Sequence, residues 1–190
     1  MDSMQLLIAD LDHLRRSLLQ SEEIGEKRFE FFMALVTAAV AGLIALATAD
    51  KYPQPWFPVV GIGSLAGLVA FGILTYLRMI HRNQVTDHLK GMIDEVWGHA
   101  KANCEDLKDS PYDLKWAARR RRKLLTGGYV ETVATINGML VIALVAMLAN
   151  EIVGCGRTTA VLIAVPIGVA LTVLLWIPAI LRNLRNPGRT

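Results

Sequence analysis

Four long segments of this chain contain no Asp, Glu, Lys or Arg and are strongly apolar. They comprise residues 31–49, 52–77, 132–150 and 158–181. A helix of about 20 residues crosses the hydrocarbon core of a bilayer, whereas a helix on a soluble domain carries charges on its wet face. We therefore predict an all-α, polytopic membrane protein with four transmembrane helices. The composition agrees, since 53% of the 190 residues are hydrophobic.

The basic residues are distributed asymmetrically along the chain. Of the 20 Lys and Arg residues, only Lys51 and Arg157 lie in the connections between spans one and two and between spans three and four. Cytoplasmic segments are the ones that are enriched in Lys and Arg. We therefore predict an integral, multi-pass protein of the cell (inner) membrane. Its N- and C-termini and the long segment between spans two and three are expected to be cytoplasmic.

Short connections predict that the spans pair as two antiparallel hairpins. Pro53, Pro55 and Pro58 interrupt the helix after span one. Gly154 and Gly156 permit a turn after span three. The predicted organisation is a cytoplasmic amphipathic helix (residues 1–28), a first transmembrane hairpin (29–81), a cytoplasmic helical hairpin (82–125), a second transmembrane hairpin (126–182) and a cytoplasmic tail (183–190).

Two apolar stripes predict helices that continue beyond the spans as a cytoplasmic helical extension. The first has the alternating three- and four-residue steps of a coiled-coil seam and comprises Met4, Leu7, Leu11, Leu14 and Leu18. The second continues span two and comprises Val85, Leu89, Met92, Val96 and Ala100. No proline separates either stripe from its span. The sequence does not decide whether these stripes pack against each other within one subunit or against another subunit.

Small residues recur at four-residue spacing in the spans, where they let helix backbones approach closely. The candidates for helix packing are Gly63, Gly67, Ala164 and Gly168. Pro166 is a candidate hinge, because proline removes a backbone hydrogen bond from a helix. Four short spans leave little room for an internal cavity, so we expect additional small faces to serve self-association.

Polar side chains inside the spans are few, and the third span carries the most informative ones. The candidates for lining a pore or a subunit seam are Glu131, Thr135, Asn137 and Gly138. An ionisable group is costly in lipid, so its presence indicates function. Two alternatives are open. Glu131 would lie at the interface and pair with the adjacent arginines, and Asn137 would hydrogen-bond between helices.

A basic run precedes the third span and comprises Arg119, Arg120, Arg121, Arg122 and Lys123. It predicts binding to anionic lipid headgroups of the bilayer, or to an anionic cytoplasmic ligand or protein partner. The formal net charge of +3 follows from the membrane topology, which disfavours nucleic acid as a partner.

The sequence carries no pattern that we interpret as catalytic. Cys104 and Cys155 are predicted to lie on opposite sides of the bilayer, so they form neither a disulfide nor a metal site with each other. The spacing of Arg82 and His88 resembles the ribonuclease motif of the HEPN family, a two-residue pattern that chance produces often. We predict no enzymatic activity, no catalytic residues, no cofactor and no metal.

These features together predict a homo-oligomeric membrane protein that forms a pore or ion channel gated through its cytoplasmic helices. The plan of short spans with a cytoplasmic helix is similar to that of small bacterial membrane effectors of conflict and defence systems, an analogy of topology that includes membrane-permeabilising effectors. One alternative is a membrane-anchored scaffold or adaptor that binds a cytoplasmic partner. Another is a small dimeric transporter that uses Glu131.

Overall fold

The computed structural model describes residues 3–48, 56–103, 128–154 and 156–185, and their regular structure is helical. The helices are α1 (Ser3–Thr48), α2 (Trp56–Asn103), α3 (Tyr129–Glu151) and α4 (Arg157–Arg185). Each of the four is long and apolar enough to cross a membrane. The prediction of an all-α chain with four helices long and apolar enough to span a membrane is therefore confirmed.

The first two helices are much longer than a membrane span. α1 has 46 residues and α2 has 48, against the about 20 that cross a bilayer. Both run without interruption from the apolar segment into the charged one, as the absence of proline there predicts. Pro58 lies in the first turn of α2, where the missing N–H would have no partner within the helix.

The chain divides into two compact units. The span unit comprises Phe29–Leu77 and Gly127–Arg189, and the paired-helix unit comprises Met1–Arg28 and Arg78–Thr126. α1 and α2 therefore contribute to both units, whereas α3 and α4 belong to the span unit alone.

The span unit is built around α3, the helix with the most buried span. Leu140 of α3 packs with Leu65 and Leu68 of α2 in a buried cluster. Partly buried side chains of α1, α2 and α3 surround this cluster: Val36, Ala39, Leu43, Val69, Ile136, Leu144 and Met147. α3 and α4 are in close backbone contact with each other.

In the paired-helix unit, residues spaced by three and four positions on each helix form the buried seam. On α1, Leu7, Leu11 and Leu14 are half-buried and Leu18 is buried, which matches the predicted stripe. On α2, Leu89, Met92, Val96 and Ala100 also turn inward. Val85, however, is 43% exposed, and Thr86 is buried in its place. The cause is a polar contact of Thr86 with α1, which is described below.

Candidate functional site

The contact between α3 and α4 depends on the absence of side chains. A Cβ atom built on Gly168 would lie 2.7 Å from the carbonyl oxygen of Gly138, and one on Gly138 would lie 3.1 Å from the carbonyl oxygen of Gly168. Ala160 and Ala164, one and two turns before Gly168, are also buried. Two of the four predicted packing residues, Ala164 and Gly168, thus lie in this seam.

Asn137 faces the opposite neighbour, α2. Its side chain is 0% exposed and lies against Gly72, where a Cβ would overlap the amide. Neither Oδ1 nor Nδ2 of Asn137 has a hydrogen-bond partner in the part of the chain that the structure describes. Buried polar groups are nearly always paired, so this amide is exceptional. Gly72 was not among the small residues selected by their four-residue spacing. Its position four residues after Leu68 and three before Thr75 is the sequence feature that places it on the inner face of α2.

Three threonine hydroxyls of the spans differ from the Asn137 amide because each has a hydrogen-bond partner. Thr75 donates to the carbonyl oxygen of Phe71 at 2.9 Å, and Thr172 donates to that of Gly168 at 2.8 Å. Thr135 likewise donates to the carbonyl oxygen of Glu131 at 2.9 Å. These bonds within one helix satisfy a threonine in lipid without any neighbour. The polar layer, which we define as Gly72, Thr75, Asn137, Gly138 and Thr172, therefore contains one unpaired group.

Tyr76 lies one turn of α2 beyond Gly72, and its sequence position indicates an aromatic residue at the inner membrane interface. It is 2% exposed, and its hydroxyl donates to the carbonyl oxygen of Leu175 on α4. The preference of Tyr for the interface concerns its depth in the membrane and does not predict whether its ring faces lipid or a neighbouring helix. Asn137 of α3 contacts α2, Gly138 of α3 contacts α4, and the Tyr76 bond joins α2 to α4, so the three helices meet here.

Glu131 lies in the first turn of α3, and its carboxylate is close to Gly128. A negative charge is stabilised at the N-terminal end of a helix. The side chain is half-buried, as is that of Thr135 one turn later. Of the four residues predicted to line a pore or seam, Asn137 and Gly138 are therefore interior to the span unit, and Glu131 and Thr135 lie at its edge.

A second set of small residues has no described helix against it. Gly63 and Gly67 of α2 are exposed, and no atom of the described residues lies within 4 Å of a Cβ built on either. The same holds for Gly42 of α1. Exposed alanines continue these two surfaces on their helices: Ala34, Ala38, Ala41, Ala45, Ala66 and Ala70. We call this set the open small-residue face of α1 and α2.

The remaining outer surface of the spans is almost entirely apolar. Among the described span residues away from the helix ends, one polar residue, Thr37, is exposed. On α4 the exposed residues include Leu162, Val169 and Leu174. Pro166 is exposed as well, and α4 continues through it as helix.

The paired-helix unit contains a polar seam of a different kind. The Ser21 and Thr86 hydroxyls are 3.1 Å apart and hydrogen-bonded. The Arg82 guanidinium covers the buried Gly25 and donates to the carbonyl oxygens of Ser21 and Glu22, each at 3.4 Å. These polar contacts account for the inward position of Thr86.

Charged contacts flank this seam. Lys90 of α2 pairs with Glu22 of α1 at 3.2 Å. Within α1, the Lys27 ammonium donates a hydrogen bond to the Glu23 carboxylate and lowers the pKa of that carboxyl below its ordinary value. His88 is exposed while Arg82 is bound to α1, so the structure does not bring these two residues into a common site.

Some predicted features lie outside the described residues, namely the basic run Arg119, Arg120, Arg121, Arg122 and Lys123, and the cysteines Cys104 and Cys155. Within the described ranges, no group of three or more His, Cys, Asp or Glu side chains is arranged to hold a metal ion. A shallow groove of about 310 Å³ in the paired-helix unit is lined by Asp10, His13, Leu14, Met92, Glu95 and Val96.

Comparison with known proteins gives no relative. No family model, no curated protein and no solved structure matches the chain.

Proposed function

We propose that this protein is a homo-oligomeric membrane protein that forms a gated pore in the cell membrane. In this proposal the four spans form two antiparallel hairpins with cytoplasmic termini, and the paired-helix unit lies on the cytoplasmic side. The positive-inside distribution of Lys and Arg supports this orientation. Subunits meet through the open small-residue face of α1 and α2, and the cytoplasmic helices control opening.

The observation that carries the proposal is the contrast between the glycines of α2. Gly72 is covered by Asn137, whereas Gly63 and Gly67 are exposed and no described atom lies within 4 Å of a Cβ built on either. Helices in lipid associate where small residues let their backbones approach, so a lipid-facing glycine pair at four-residue spacing is a surface suited to another helix. A second copy of α1 and α2 supplies such a helix with an equally small surface.

The polar layer supports a pore as the purpose of this assembly. Most hydrogen-bonding side chains in the middle of the spans are directed to the interior between α2, α3 and α4, where Asn137 has no partner. Polar groups that are retained inside a membrane protein at a cost usually belong to a pathway. A single subunit leaves little room for a pathway, so in the proposed pore the polar layer becomes accessible when α2 and α3 separate within the assembled oligomer, and the apolar outer surface stays in lipid.

The oligomer is tested by the mass of the detergent-solubilised protein. The wild type should have a mass that is a multiple of 20.9 kDa after correction for bound detergent. Gly67→Ile should weaken the self-association by about tenfold or more, since a branched side chain prevents close approach of the helices. Leu162→Phe is the matched control, because Leu162 is exposed on α4 and lies outside the open small-residue face. A monomeric wild type, or equal weakening by both substitutions, would refute this interface.

The pore is tested by ion flux from liposomes that contain the pure protein. We expect flux in the wild type and its loss in the Gly67→Ile variant, together with the oligomer. Vesicles that stay tight at every protein-to-lipid ratio would refute the pore.

One observation favours a second function, that of a membrane-anchored scaffold for a cytoplasmic partner. Among the described span residues away from the helix ends, the exposed surface is apolar except for Thr37. Such a surface suits a membrane anchor that conducts no ions. Tight vesicles, together with a stoichiometric partner that is lost when Arg119–Arg122 are replaced by glutamate, would establish the scaffold in place of the pore.

A further inference from the structure

Asn137 is a fully buried residue whose side-chain amide forms no hydrogen bond within the described residues. A primary amide offers two N–H donors and two acceptor lone pairs, and none of these is used within the described residues. The Thr75 and Thr172 hydroxyls of the polar layer donate to carbonyl oxygens of their own helices. The unpaired amide raises the free energy of this packed arrangement relative to any arrangement in which it meets water.

The packed arrangement leaves no room for a water molecule at Gly72. A Cβ atom built there would already overlap the Asn137 amide. A water that binds this amide therefore requires α2 and α3 to separate locally by about 3 Å, the length of one hydrogen bond.

We propose that the Asn137–Gly72 contact is a latch between α2 and α3. While the helices touch, the latch excludes water, and when they separate, the Asn137 amide becomes a binding site for water. The contact is suited to this role because Gly72 contributes no side chain that would interlock with α3. In the α3–α4 seam, by contrast, backbone carbonyls and two facing glycines are in close contact.

The effect of the latch on ion flux rests on the proposed pore. The latch itself is tested by an experiment that does not measure flux. A cysteine at Leu140 reports on water at the α2–α3 contact, because Leu140 is buried against Leu65 and Leu68. The protein would carry Cys104→Ser and Cys155→Ser in addition to Leu140→Cys. The measured quantity is the rate at which a small, water-soluble methanethiosulfonate reagent labels this cysteine in membranes.

Two substitutions should move that rate in opposite directions. Gly72→Ala places a methyl group where the amide lies and should speed labelling about tenfold, whereas Asn137→Leu keeps the branched shape, removes the polar atoms and should slow labelling about tenfold. A control reporter, Ala164→Cys in the α3–α4 seam, should change less than about twofold in both cases. Equal rates in all three backgrounds, or equal changes at both reporters, would overturn the latch.

Thermal unfolding gives a second readout in case the Gly72→Ala protein does not fold. Asn137→Leu should raise the melting temperature in detergent by about 5 °C, since it removes an unpaired buried amide. Thr172→Val is the matched control, because its hydroxyl has a partner at 2.8 Å and its removal should not stabilise the protein. A lower melting temperature for Asn137→Leu would overturn the latch.

The flux assay separates failure of the latch from failure of the pore. Labelling that responds to Gly72→Ala and Asn137→Leu in vesicles that stay tight to ions would support the latch and refute the pore. Flux that persists unchanged in the Asn137→Leu protein, with unchanged labelling, would refute the latch and leave the pore standing.

Discussion

Helices meet by opposite means in the span unit and in the paired-helix unit. In the span unit, α3 and α4 approach because Gly138 and Gly168 present no side chains to each other. In the paired-helix unit, α1 and α2 are joined by side chains, with Ser21 and Thr86 hydrogen-bonded at 3.1 Å. Lipid gives no hydrophobic driving force between helices, so close backbone packing must hold the spans together. Polar pairs such as that of Ser21 and Thr86 form where leucines on the same seam already exclude solvent.

Glycine itself has different neighbours in the two units. A Cβ on Gly168 would overlap the Ile142 side chain and would also lie 2.7 Å from the carbonyl oxygen of Gly138, which cannot move without shifting a helix. The neighbour of Gly25 is the end of the Arg82 side chain, which is flexible. The same substitution should therefore have different consequences at the two positions, and this difference is the sharpest test of the comparison.

The largest effect is expected for Gly168→Ala. The added methyl group overlaps the facing helix, and we expect the free energy of unfolding to fall by about 3 kcal/mol. Titration with a denaturing detergent would measure it. Gly98→Ala is the control, since Gly98 is exposed on α2 outside the open small-residue face, no described atom lies within 4 Å of its Cβ, and alanine is the better helix former. If both variants were equally stable, the glycine seam would not hold α3 to α4.

A smaller effect is expected for the hydroxyl pair of the paired-helix unit. Ser21→Ala and Thr86→Val should each lower the free energy of unfolding by about 1 kcal/mol, because each leaves the other hydroxyl without this bond. The double variant should cost less than the sum of the single ones, which a double-mutant cycle would show. Ser17→Ala, one turn earlier on α1, serves as the control. Additive losses would mean that the pair does not join the helices.

Gly25→Ala should change stability by less than about 1 kcal/mol in either direction, since the gain in helix propensity offsets the displacement of Arg82. Chemical denaturation of this variant beside Gly168→Ala tests the comparison directly. A loss at Gly25 as large as that at Gly168 would show that the paired-helix unit also depends on close backbone approach.

The smallest effect is expected for the charges of α1. Lys27 lowers the pKa of Glu23, so the pair stabilises the folded chain above the ordinary carboxyl pKa and loses that contribution as the pH falls through the lowered value. Lys27→Gln should return the pKa of Glu23 toward its ordinary value, as an NMR titration of that carboxyl would show. Since the pair is exposed, added salt should weaken the shift in the wild type. A pKa that is insensitive to Lys27→Gln would exclude this ion pair in solution.

The number of spans and the continuity of the long helices were predictable from the sequence. Uncharged apolar segments and the positions of proline decide both, and these are local properties of the chain. Leu18 and Ala100 were also predictable as buried seam residues, because hydrophobic spacing identifies them. The inward position of Thr86 was not predictable, since a hydroxyl carries no hydrophobic signal and its partner Ser21 is distant in the chain.

The pairing of small residues in the spans was not predictable for a related reason. Gly63 and Gly168 both lie in apolar segments with a small residue four positions away. A Cβ on Gly63 has no described atom within 4 Å, whereas a Cβ on Gly168 would overlap α3. The spacing of small residues indicates which face of a helix carries them, but it does not indicate which helix, if any, packs against that face. Asn137 was identified as unusual by its polarity alone, whereas its contact with Gly72 required the structure.

The connection between α3 and α4 bears on the order in which the spans assemble. It is only a few residues long, and Gly154 turns the chain with a φ of 67°. A short connection costs little chain entropy to close, so α3 and α4 are expected to find each other soon after both have entered the bilayer. The side of α3 that carries Asn137 would then be presented to α2 by an already formed pair. Docking of that amide would accordingly be a late event in biogenesis.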